Sequence, residues 1–124
     1  MADILLIDDM AGVRRTVMAM LKRAGHSVTA VDSGAEGLDM LRTHRFGLVI
    51  TDMLMPGTDG ADVLSHLDTL NSRPRVIAMS GGGAGLSADS ALSLARIKAD
   101  AFLEKPFESA ELLATVEKLV GKAV

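Results

Sequence analysis

The chain has 124 residues, 48% apolar and 23% charged, with a net charge of -3 and no cysteine. That length suits one domain around one core. The acidic balance gives no electrostatic reason to bind nucleic acid or anionic lipid, and the missing thiols exclude disulfides and thiolate metal sites. The N-terminus has no basic segment leading into an apolar stretch and cleavage site, and no run approaches about 18 apolar residues, so a soluble cytoplasmic protein is expected.

The first element is the aliphatic run "ILLI" (4–7), which ends on two adjacent aspartates, Asp8 and Asp9. In "VRRTVMAMLKRAG" (13–25), Val13, Val17, Met20, Leu21 and Ala24 recur at three- and four-residue intervals and Gly25 supplies a stop, which predicts an amphipathic helix. A weaker strand, "SVTAV" (27–31), is followed by a helix over 33–44 that opens with a capping box, Ser33 to Glu36. The run "LVIT" (48–51) leads into Asp52, and a helical pattern follows over 59–70. The last strands are "RVIAMS" (75–80) and "AFLEK" (101–105), with a final helix over 109–120. Near-continuous apolar strands imply burial on both faces. Strand and helix alternate five times, so the economical architecture is an α/β fold, a doubly wound five-stranded parallel sheet with helices on both faces.

In such sheets ligands bind beyond the carboxyl ends of the strands. Here those ends carry Asp8 and Asp9, Asp52, Ser80 and Lys105, which puts three carboxylates, a hydroxyl and an ammonium on one rim. Clustered carboxylates repel unless a cation offsets them. Mg²⁺ prefers oxygen ligands and keeps waters, so a few carboxylates and a phosphate oxygen suit it. Lys105 and Ser80 are then available to hold anionic oxygens, one as a point charge and the other as a donor. The set fits phosphoryl transfer to a carboxylate, with Asp52 as nucleophile.

With "IDDM", "TDMLMPGTDG", "IAMSG" and "AFLEKPF" in this order, nearly the whole chain resembles the receiver domain of bacterial two-component response regulators. The resemblance implies the flavodoxin-like strand order 2-1-3-4-5. It implies Asp52 as phosphoacceptor, Asp9 as a direct Mg²⁺ ligand, Asp8 as a ligand through water and Leu54 as a ligand through its backbone carbonyl. Ser80 becomes the switch hydroxyl, Lys105 the phosphoryl contact, and Pro106 follows a cis peptide. Two features depart from the pattern. Phe102 stands where the family often has tyrosine and lacks its hydroxyl, and "GGGAG" after Ser80 is richer in glycine than usual. That loop lacks the Lys-Ser/Thr ending of a nucleotide-binding P-loop.

Plainer readings compete at several positions. Asp8 and Asp9 alone could cap the first helix, and Asp59 before Gly60 reads as a turn residue outside the site. His26, His44 and His66 share no metal-site spacing and read as surface histidines, and the eight methionines read as core fillers. The expected function is a stand-alone receiver over residues 1–124 with no effector domain: a phosphoacceptor rather than an enzyme, monomeric or weakly dimeric. Its partners would be a sensor histidine kinase or histidine phosphotransfer protein and a downstream protein, not nucleic acid or membrane. A dehalogenase-like, metal-dependent phosphatase is the alternative from the enzyme class, yet it needs Asp-x-Asp where this chain has Asp8-Asp9. A flavodoxin-like carrier would need a hydroxyl-rich loop in place of "DDMAG", and a phosphorylation-independent binding module is the remaining reading.

Overall fold

The computed structural model describes residues 2–53, 60–67, 69–70, 73–81 and 99–121. In chain order the elements are β1 (Asp3–Ile7), α1 (Ala11–Arg23), β2 (Ser27–Val31), α2 (Gly34–Thr43), β3 (Leu48–Asp52), α3 (Gly60–Leu67), β4 (Arg75–Gly81), β5 (Ala101–Lys105) and α4 (Ser109–Val120). The five strands form one parallel sheet in the order β2-β1-β3-β4-β5, as the resemblance implied. Residues 82–98 of the connection between β4 and β5, with the glycine-rich segment after Gly81, lie outside the described residues, as do Leu54 and Asp59.

The strands are apolar at nearly every position because each face has its own core. Ile4 and Leu6 of β1, Leu48 and Ile50 of β3, Ile77 and Met79 of β4 and Leu103 of β5 pack with Val17 and Leu21 of α1 and Leu112 and Val116 of α4. The alternate residues Leu5, Ile7, Val49, Val76 and Ala78 pack with Leu41 of α2 and with Val63, Leu64 and Leu67 of α3. The two-residue side-chain period of a strand sorts these sets onto opposite faces.

Local signals set most boundaries. Gly25 has φ +95 just after α1, a conformation that glycine adopts without a Cβ penalty, so the expected stop is in place. Ser33 Oγ accepts the Glu36 N–H at 3.1 Å, while the Glu36 carboxylate reaches back to the Asp32 N–H at 3.5 Å rather than to that of Ser33. The first helix begins two residues earlier than its periodicity suggested, at Ala11, because Gly12 lies on an exposed face where no apolar residue marks the period.

His26 corrects the surface reading: it is 6% exposed and its Nδ1 accepts the Ala2 N–H at 3.2 Å. A turn residue became buried because the segment before β1 folds over it. Among the methionines, Met53 and Met79 are fully buried, whereas Met10 is 57% exposed at the start of α1.

Candidate functional site

Alternation along the strands decides which end residues meet. Asp52 continues the parity of Leu48 and Ile50, and Lys105 that of Leu103, so both belong to the α1/α4 face. Ser80 continues the parity of Val76 and Ala78, and Phe102 packs against the same core, so these two share the α2/α3 face.

Lys105 Nζ donates to Asp8 Oδ2 at 2.8 Å and to Asp52 Oδ2 at 3.1 Å. Asp8 is fully buried and Asp52 is 4% exposed. Burial, the largest single influence, pulls the Lys105 ammonium toward its neutral form; the hydrogen bonds and charges of Asp8 and Asp52 together outweigh it and hold the pKa above the usual lysine value. The Lys105–Pro106 peptide is cis, as the resemblance implied. Ser80 is buried at the end of β4, one residue beyond Met79, the register partner of Asp52.

Asp9 is exposed, yet one carboxylate oxygen from each of Asp8, Asp9 and Asp52 can lie within 4.8 Å of the others. The donor set is oxygen only, with two buried acids and one open to water, which matches a hard divalent cation that keeps part of its hydration. The capping alternative for the two aspartates holds only in part. Met10 is the N-cap of α1 and makes no side-chain cap, while Asp8 Oδ1 accepts the Met10 N–H at 2.9 Å.

Sequence reasoning missed Arg14, whose Nη1 donates to the Asp8 carbonyl oxygen at 2.8 Å. The available signal was a cation near the start of a helix with no acidic residue in its first turn, where the dipole disfavours positive charge.

Residues 4–117 match the family model described as the response regulator receiver domain. The chain belongs to that family. Among its relatives, the transcriptional regulatory protein FixJ of Bradyrhizobium diazoefficiens is 36% identical over 120 residues, covering 97% of this chain and 57% of FixJ. The response regulator protein FleR of Pseudomonas aeruginosa is 36% identical over 117 residues, covering 94% of this chain and 24% of FleR. The chain thus spans about half or less of these relatives. A response regulator receiver domain protein from Clostridium thermocellum superposes with a TM-score of 0.84 at 28% identity, covering 97% of this receiver and 94% of that chain. Among the described residues of this receiver, no helix is long and apolar enough to cross a membrane.

Proposed function

We propose that this receiver accepts a phosphoryl group on Asp52 from a sensor histidine kinase or histidine phosphotransfer protein, and that the phosphorylated form acts in the cytoplasm by contacting a downstream protein or passing the group onward. The observation that carries this reading is the Asp52 carboxylate, nearly buried at the end of the central strand, 3.1 Å from Lys105 Nζ and clustered with Asp8 and Asp9.

An Asp52 carboxylate oxygen attacks phosphorus, the bond from phosphorus to the donor imidazole nitrogen breaks, and its electron pair stays on the imidazole, leaving an acyl phosphate. Lys105 Nζ, 3.1 Å from Asp52 Oδ2, would hold a phosphoryl oxygen, and its raised pKa favours the charged form that this role needs. Asp8, Asp9 and Asp52 would hold Mg²⁺, together with the Leu54 carbonyl by family resemblance; when bound, that ion offsets charge on the phosphoryl oxygens. Ser80 would donate its hydroxyl to the new phosphoryl group, and Phe102, half-buried against the same face, would follow it inward. This makes the domain a self-assisting phosphoacceptor that also hydrolyses its own acyl phosphate, rather than an enzyme acting on separate substrates. An apolar groove of about 920 Å³, lined in part by Met10, Val13, Met20, Pro106 and Phe107, opens beside Lys105 and supports docking of a donor protein there.

Incubation with acetyl phosphate and Mg²⁺ should add one hydroxylamine-labile phosphoryl group by mass spectrometry, none in chelator and none in Asp52→Asn. Labelling that persists in Asp52→Asn overturns the assignment. A wild type that neither acetyl phosphate nor a kinase can label leaves a binding module that works without phosphate.

A further inference from the structure

Arg14 stands where the helix dipole disfavours a cation. It lies near the N-terminal end of α1, the positive end of the helix dipole, and no acidic residue shares the first turn. Its half-buried side chain turns back to the preceding loop, where Nη1 donates to the Asp8 carbonyl at 2.8 Å. That carbonyl and the Asp9 N–H belong to one rigid peptide plane, so the bond to Arg14 also limits how the Asp9 backbone can rotate. The loop is held at a second point, where Asp8 Oδ1 accepts the Met10 N–H at 2.9 Å. Asp9 lies between these two anchors. Its side chain is exposed, so burial contributes little to keeping it beside Asp8 and Asp52.

We infer that Arg14 is a positioning residue for the cation site: by fixing the Asp8–Asp9 peptide it keeps the exposed Asp9 carboxylate with those of Asp8 and Asp52. The inference rests on the metal reading proposed above. It differs in sign from a purely electrostatic role. A cation near the site repels a divalent ion, so if charge were all that mattered, removing Arg14 would tighten Mg²⁺ binding. If position matters more, removing it weakens binding, because the ordering of Asp9 is then supplied at the moment the ion binds.

The test is a Mg²⁺ titration of the whole chain, followed through backbone amide resonances of residues 8–10. Arg14→Ala should bind Mg²⁺ about tenfold more weakly than wild type. Arg14→Met, which keeps the stem without a donor, should behave alike, and Arg14→Lys, which keeps charge and one donor, should recover part of the loss. Amide hydrogen exchange at Asp9 and Met10 should quicken in the alanine and methionine variants while the strand amides stay protected. A purely structural role would change the unfolding midpoint without changing the Mg²⁺ dissociation constant. Equal or tighter Mg²⁺ binding in Arg14→Ala or Arg14→Met, with wild type binding the ion, overturns the inference alone. A wild type that binds no Mg²⁺ overturns the metal reading as well. If Arg14→Ala does not fold, the comparison of Arg14→Met with Arg14→Lys decides between the same outcomes.

Discussion

Lys105→Met removes the ammonium and keeps an apolar stem of similar reach, so Asp8 and Asp52 lose a shared counter-charge while the packing changes little. Asp8 is fully buried and Asp52 is 4% exposed, so solvent compensates only part of the lost charge. Removing one partner of a buried ion pair costs about 3–5 kcal/mol. The Lys105 side chain is itself 13% exposed, so part of its attraction is screened and the lower end, about 3 kcal/mol at neutral pH, is expected. Mg²⁺ stabilises both proteins by mass action, but no resident ammonium competes for the carboxylates in the variant, so each tenfold by which it binds the ion more tightly narrows the gap by about 1.4 kcal/mol at saturation. Urea denaturation of both proteins, in chelator and in saturating Mg²⁺, should show a large gap that narrows with the ion. The pH dependence has a definite sign. Because the folded pKa of Lys105 is raised, its contribution is fully present below the unfolded lysine value of about 10.4 and is lost as pH rises through the higher folded value. Wild type should lose this increment above pH about 10.4, and the variant should not. Equal stability of the two proteins in chelator, or equal Mg²⁺-induced shifts, would refute the reasoning.

Gly37→Ala should destabilise despite the usual gain of about 1 kcal/mol for alanine in a helix, because the added Cβ would overlap Cδ1 of the fully buried Ile7 and lie 3.0 Å from its Cγ1. Adding Ile7→Val, which deletes Cδ1, should make the double variant more stable than the sum of the single changes by about 1 kcal/mol in urea melts, and strict additivity would refute the overlap. The His26 pKa is lowered by burial and then by the positive chain terminus, with Glu117 opposing, so its contribution is present above the unfolded value of about 6.5 and is lost as pH falls toward the lower folded value. Wild-type stability should therefore fall as pH drops below about 6.5, and His26→Gln should show a flatter slope there. Ser80→Ala should still take the phosphoryl group from acetyl phosphate, but phosphorylation should no longer change the amide resonances around Phe102; an unchanged response there would remove Ser80 from the switch.

The strands were legible because a strand buried on both faces must be apolar at successive positions, and "ILLI" and "LVIT" satisfy that without reference to anything distant. The Gly25 stop and the Ser33 cap were legible for the same reason: each is a hydrogen-bonding or backbone preference settled within a few residues. The acids, the hydroxyl and the lysine could be placed at strand ends, but local pattern does not say which of them touch. Only the assembled sheet brings Lys105 to Asp8, 97 residues away, and to Asp52, 53 residues away, and sets Phe102 against the core under α2 and α3. The same holds for Arg14 reaching back to the Asp8 carbonyl, for Ala2 covering His26, and for α2 lying so close to β1 that Gly37 has no room for a side chain. These contacts depend on how the crossovers set each helix on the sheet, and that follows from the packing of all the elements together, which no single segment's composition or period contains.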